Sequence, residues 1–177
     1  MATASSSNSI QMEENLSQSS DGLSLRLRMP SLKLAEEGDW PEVLRMSRAF
    51  HEFSPYKGIP FEERKIRNIF DRYLVDPTKV IVILGVVGTE TIGVIVGIVD
   101  ELYFSEVLHA SEVIWWVDPQ ERGTILGKQL FEAFEYWGGK MGAQFLNVVN
   151  TSGTTELSGF YVKNGYHLAE SVYIKEL

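Results

Sequence analysis

Trp115-Trp-Val-Asp-Pro-Gln-Glu-Arg-Gly-Thr-Ile-Leu-Gly-Lys-Gln-Leu130 reads as an apolar strand that passes a Pro turn and enters a glycine-bearing loop at the head of an amphipathic helix. Such a loop suits a phosphate. The first N–H groups of a helix have no partners within it, and together with the positive end of the helix dipole they attract pyrophosphate oxygens. Gly123 and Gly127 let a ligand approach the main chain, and Arg122 adds positive charge. Two common phosphate loops are excluded, because no Gly-Lys-Ser/Thr closes this one and no Gly-x-Gly-x-x-Gly spacing occurs in it. Glycines in such places also serve as plain turn residues, so the loop by itself assigns no ligand.

Working outward, the helix after the loop carries Leu126, Leu130, Ala133, Phe134, Trp137 and Met141 on one face, and Gly138-Gly139 and Gly142 mark its end. Before the loop, Glu112 to Val117 predicts a strand and Glu101 to Ser111 a loop. Lys79 to Val87 and Thr91 to Asp100 are dense in Val and Ile, and Gly88-Thr89-Glu90 between them suits an antiparallel hairpin. Further upstream, Asp39 offers an N-cap with Pro41 in the first turn. Val43, Met46, Phe50 and Phe53 keep helical spacing up to Ser54-Pro55. A second helix over Phe61 to Leu74 carries Ile66, Ile69, Phe70, Tyr73 and Leu74 on one stripe, and Leu23 to Met29 alternates as a first strand. Downstream come a strand over Ala143 to Val149, a short helix over Thr154 to Asn164 closed by Gly165, and a last strand over Tyr166 to Lys175. This order predicts an α/β (α+β) fold, a mixed central sheet of about six strands with helices on both faces.

A chain of 177 residues, 44% hydrophobic, builds one sizeable core and has no room for a second. Residues 1–22, rich in Ser, Asn, Gln and Glu, read as a disordered or partner-ordered polar tail, and residues 23–177 as the folded domain. The net charge of −8 opposes binding to nucleic acid or to an anionic membrane surface and tolerates a cationic amine. With no cysteine, disulfides, thiolate metal sites and a Cys nucleophile are excluded. His51, His109 and His167 are widely separated, so no metal site is expected. No apolar run approaches the roughly 20 residues of a membrane span, and the tail lacks the basic residues of a signal or transit peptide. The expected location is the cytoplasm.

The element order and three local matches resemble the GCN5-related N-acetyltransferase (GNAT) family over residues 23–177. Val117-Asp-Pro-Gln-Glu-Arg-Gly123 resembles the family's strand-end Val-x-Pro-x-x-Arg-Gly. Gly127 and Leu130 fall where its last loop glycine and helix Leu belong, and Phe160-Tyr-Val-Lys-Asn-Gly-Tyr166 resembles its Phe-Tyr-x-Lys-x-Gly-Phe. Ile125 departs from the pattern by standing where the family has a middle glycine, and its branched side chain adds bulk to the loop.

The resemblance implies acetyl-CoA as co-substrate and transfer of its acetyl group to an amine by direct attack in a ternary complex. Two parallel strands, here Glu112 to Val117 and Ala143 to Val149, would splay to hold the pantetheine arm. Backbone N–H groups near Trp116 and Val117 would meet the thioester carbonyl. Arg122, Gly123, Gly127 and Lys128 would surround the pyrophosphate, and Asn150 would make a further contact. Tyr161 is the candidate general acid, though it also reads as a core anchor beside Phe160. For the base, Glu112 and Glu101 are the available carboxylates, and a water chain is the alternative. Phe53, Tyr56, Tyr103 and Phe104 are candidates for lining the acceptor pocket, and equally for closing the core.

The acceptor is then a small-molecule or protein amine. The short, acidic, Cys-free chain also resembles acetyltransferase-like proteins of tailed bacteriophages. That likeness implies a second reading, a catalytically inactive GNAT-fold assembly component such as a virion structural protein, with a protein partner ordering the N-terminal tail.

Overall fold

The computed structural model describes residues 29–151 and 155–175. The tail over 1–22 and, apart from Met29, the strand expected over Leu23 to Met29 lie outside them. Nine principal elements follow in chain order: β1 (Pro30–Leu34), α1 (Trp40–Phe53), α2 (Glu63–Val75), β2 (Val80–Val87), β3 (Glu90–Leu102), β4 (Ser105–Val117), α3 (Ile125–Lys140), β5 (Phe145–Asn147) and α4 (Thr155–Lys163). They form a mixed sheet in the order β1-β2-β3-β4-β5, antiparallel throughout except for the β4–β5 pair. Helices lie on both faces, as the sequence predicts.

The ends of α1 follow from local chemistry. Asp39 occupies the N-cap position and Pro41 the first turn. The Asp39 carboxylate does not cap this helix, however. It accepts from the Glu36 N–H at 2.8 Å and from Lys33 Nζ at 2.7 Å, fixing the turn that leads in. At the other end the Ser54 hydroxyl donates to the His51 carbonyl at 2.8 Å, satisfying one of the last helical acceptors. On α2, Phe70 and Tyr73 are buried, and the Tyr73 hydroxyl donates to the Ala35 carbonyl at 2.8 Å, tying the helix to the end of β1.

The helix after the glycine loop lies directly on the sheet. Leu126, Leu130 and Phe134, one turn apart on α3, are all fully buried. Below them the sheet has no side chains to offer. A Cβ on Gly85 would come within 2.6 Å of Leu126, one on Gly93 within 2.9 Å of Leu130, and one on Gly97 within 2.6 Å of Phe134. Three glycines on two strands thus cut a trough that admits three large side chains. Gly97→Ala should therefore overpack a rigid ring and cost about 1–3 kcal/mol. Thermal unfolding should show a fall of several degrees, and an unchanged midpoint would mean that Phe134 yields freely.

Two sequence expectations are corrected. The loop expected over Glu101 to Ser111 is the tip of a long hairpin: β3 runs to Leu102, Tyr103 and Phe104 form the turn, and Leu102 pairs with Ser105. Mixed polar and apolar residues here alternate on a strand, and the turn carries no Gly or Pro to announce it. His109 accordingly lies on β4. The last strand expected over Tyr166 to Lys175 does not form, and Leu168, Val172 and Tyr173 are exposed. The neighbouring edge, β5, is three residues long and offers little ladder to extend.

Candidate active site

The β4–β5 ladder is short. His109 pairs with Phe145, Ala110 with Leu146 and Ser111 with Asn147, and there the pairing ends while β4 continues to Val117. The strands part beyond this point, and the opening begins at Glu112. The β3–β4 register shifts at the same place: Gly97 pairs with Glu112 and Val96 with Ile114, leaving Val113 as a one-residue bulge. The side chains record it. Before the bulge Ala110 faces α3, where a Cβ on Gly138 would meet it at 3.0 Å; after the bulge Trp115 and Val117 face α3, each 3.8 Å from a Cβ on Gly127. An even-numbered face has become an odd-numbered one.

Glu112 is 8% exposed, and its Oε2 accepts from the Val149 N–H at 3.4 Å. The carbonyl of the same residue accepts from the Tyr161 hydroxyl at 3.3 Å. Val149, two residues past β5, therefore joins the two candidate catalytic side chains, one from β4 and one from α4. Burial pushes the Glu112 carboxyl up to about 7, with the Val149 N–H holding it partly back. The Tyr161 hydroxyl is pushed up by burial first and by the Glu112 charge second, so it keeps its proton throughout the physiological range. The opening thus pairs a carboxyl poised near neutrality with a retained hydroxyl proton.

Around Tyr161 the walls are aromatic. Trp115 lies 5.0 Å from Phe131 and 5.9 Å from Phe160 between ring centroids, and Tyr161 lies 5.7 Å from Phe131. Tyr161 is thus packed among rings as a core anchor, with its hydroxyl bonded to the Val149 carbonyl. Trp116 points to the other face, 6.0 Å from Phe53 of α1. On the same side, the His109 Nδ1 stands 3.1 Å from the Asn147 amide nitrogen and 3.2 Å from the Ser111 hydroxyl.

The glycine loop runs from β4 to α3. Gly123 has φ +82°, a conformation that favours glycine, and the Thr124 hydroxyl caps α3 by accepting from the Leu126 N–H at 3.4 Å. Ile125 opens the helix with its side chain 58% exposed, so its bulk is turned outward from the core. Arg122 stacks its guanidinium over Trp116 at 4.5 Å and over Phe53 at 4.9 Å, and its Nε donates to the Val117 carbonyl at 3.0 Å. Lys128 pairs with Glu132 at 3.3 Å along the helix. Asn150 donates to the Ser158 hydroxyl at 2.9 Å, bracing the approach to α4.

Several expected groupings do not form. Tyr103 and Phe104 sit at the hairpin tip, whereas Phe53 packs on Trp116 at the opposite end of β4. At 3.3 Å per residue the two ends lie roughly 40 Å apart, so the four aromatics do not line one pocket. Glu101 pairs with Leu108 far along the hairpin and is not brought to Tyr161, leaving Glu112 as the carboxylate of the opening. Among the described residues no cluster of acidic groups and histidines suited to a metal ion occurs.

Sequence reasoning missed Asp118. Its carboxylate accepts from Arg45 of α1 at 3.0 and 3.1 Å and from the Trp116 indole N–H at 2.9 Å, pinning the loop to the opposite face of the sheet. The only signal was a carboxylate before Pro119. Asp118→Ala should lower stability by about 1–3 kcal/mol, because a paired indole and guanidinium lose their acceptor. Thermal unfolding checks this, and an unshifted midpoint would remove the clamp.

No protein-family model matches the chain, and no curated protein matches it in sequence. Solved structures do match. A GNAT family acetyltransferase from Staphylococcus aureus superposes with TM-score 0.59 at 16% identity, over 84% of this chain and 98% of that one. The fold is that of the GNAT acetyltransferases. An aminoglycoside acetyltransferase from an uncultured soil metagenomic sample, solved with sisomicin, shares the GNAT fold with TM-score 0.62 at 16% identity, over 84% and 95%. A transcriptional regulator from Bacillus halodurans also superposes on the chain, with TM-score 0.66 at 15% identity, over 84% and 100%. Proteins with different named roles thus resemble this chain at similar distance, and the fold alone assigns no activity. No helix among the described residues is long and apolar enough to cross a membrane.

Proposed function

We propose that this chain is an acetyl-CoA-dependent N-acetyltransferase that moves an acetyl group to an amine by direct attack in a ternary complex. The observation that carries this reading is the meeting of Glu112 and Tyr161 through Val149 at the mouth of the β4–β5 opening. Acetyl-CoA supplies an acetyl group activated as a thioester. The chain fits it in one further respect. Gly127 has no positive φ, and a Cβ there would make only ordinary contacts at 3.8 Å, so neither backbone nor packing requires glycine. A ligand lying against the main chain at the start of α3 would.

Arg122, Gly123, Gly127 and Lys128 then surround the pyrophosphate, and Asn150 holds the approach to α4. Backbone N–H groups on the open side of β4, near Trp116 and Val117 and at the Val113 bulge, meet the thioester oxygen as charge develops on it. Glu112 takes the proton released by the attacking amine as the C–N bond forms. Tyr161 presents its proton to the sulfur as the C–S bond breaks. The excess of acidic residues suits a cationic acceptor, a small molecule or a protein amine.

Calorimetric titration with acetyl-CoA in moderate salt, followed by a screen of amines for acetylation, tests the reading. Saturable one-to-one binding and transfer to an amine are expected. Absence of binding at millimolar coenzyme would overturn it and leave a catalytically inactive assembly role for the fold.

A further inference from the structure

Among the described residues, the Trp116 indole N–H donates to Asp118 at 2.9 Å and that of Trp137 to the Pro77 carbonyl at 3.0 Å. The Trp115 indole nitrogen is buried and has no acceptor. A buried donor left unpaired is expensive, and each such group calls for an explanation. Its ring neighbours supply none, since Phe131, Phe160 and Tyr161 present aromatic carbon to it. A phenylalanine would fill much of the same space without stranding a donor.

The position of the indole supplies the explanation. Cζ2, on the ring edge next to Nε1, is the atom that a Cβ on Gly127 would meet at 3.8 Å. The orphan donor and the glycine that neither backbone nor packing requires therefore border the same place, at the first turn of α3 and beside the β4–β5 opening. These are independent observations, one a missing acceptor and the other a missing side chain. Resting on the acetyl-CoA reading above, we infer that the Trp115 indole N–H is a coenzyme-binding group, donating to an oxygen of the phosphopantetheine arm where it leaves the pyrophosphate.

The assignment is specific. Backbone N–H groups at a helix start recognise any anion, whereas a single indole donor on the ring edge that borders Gly127 fixes the lateral position of a threaded arm. Trp115 is then a positioning residue for the arm, and its loss should raise the coenzyme dissociation constant with little effect on turnover at saturation.

The test uses the full chain with uniform 15N labelling. Indole N–H resonances are assigned by Trp→Phe substitution and followed as acetyl-CoA is added. The Trp115 proton should move downfield as it gains an acceptor, while that of Trp137, already bonded to Pro77 and far along α3, should stay. Trp115→Phe should weaken acetyl-CoA binding about 3- to 10-fold by calorimetry, the loss of one neutral hydrogen bond. A Trp115 resonance that stays put while acetyl-CoA saturates the protein overturns the inference, whatever the variant does. If acetyl-CoA does not bind the unaltered chain, the acetyltransferase reading itself fails, a separate and recognisable result.

Discussion

Glu112→Gln should lower kcat/KM for acetyl transfer by about 100-fold or more, with acetyl-CoA affinity changed by no more than about twofold. The side chain keeps its size and can still accept from the Val149 N–H, so the opening retains its shape while losing its base. Because burial places the carboxyl near 7, the unaltered protein should show kcat/KM rising as pH passes through that value, the carboxylate being the active form. The variant should lack that rise. A rising limb that survives the substitution would assign it to another group and remove Glu112 from the chemistry.

The same group has a signature in stability that needs no substrate. Its folded-state pKa is raised from the ordinary 4.5 to about 7, so the folded chain holds the proton more tightly than the unfolded one. Stability contributed by the neutral form is complete below pH 4.5 and is lost as pH rises towards and through 7. At about 1.4 kcal/mol per pKa unit, the loss is on the order of 3 kcal/mol. Denaturant titrations of the unaltered chain should record that decline and those of Glu112→Gln should be flatter. Parallel curves would mean that Glu112 is solvated.

Tyr161→Phe should lower kcat by about 100-fold and leave coenzyme affinity near normal. The ring contacts to Trp115 and Phe131 survive, and the hydroxyl's bond to Val149 is long at 3.3 Å, so the fold should hardly notice. If the missing function is protonation of the departing sulfur, an acetyl thioester of a more acidic thiol should recover much of the loss. Equal deficits with both thioesters would point to displaced geometry, and unchanged turnover would leave Tyr161 as a core residue.

Much of this was legible in the sequence because it depends on local pattern. The helical spacing of Leu126, Leu130 and Phe134 and the Val-Ile runs of β2 and β3 each have a period that one strand or helix imposes on its own residues. Glu112 and Tyr161 stood out only through the resemblance, which matched Phe160-Tyr161 to a family segment and left Glu112 and Glu101 as the available carboxylates. What stayed hidden depends on pairing between distant segments. Nothing in Gly85, Gly93 or Gly97 announces that Leu126, Leu130 and Phe134 will press on them. Glu101 and Glu112 are equivalent as letters, and only the register of β3 on β4 carries one to the hairpin's far end and the other to the opening. Tyr103-Phe104 is an unmarked turn, and so a strand was read as a loop.

The bulge at Val113 separates two things that a strand usually carries together. Without this residue, Ala110 and Glu112 would still share a face with Trp115 and Val117, because deletion restores simple alternation across the gap. As far as the facing of side chains is concerned, Val113 is a silent insertion. What it adds is one peptide unit, a carbonyl and an amide outside the ladder at the mouth of the opening. A chain lacking Val113 should therefore keep its hydrophobic code intact and still fold, while forfeiting whatever that peptide does, so that a single residue marks where the demands of folding end and those of the opening begin.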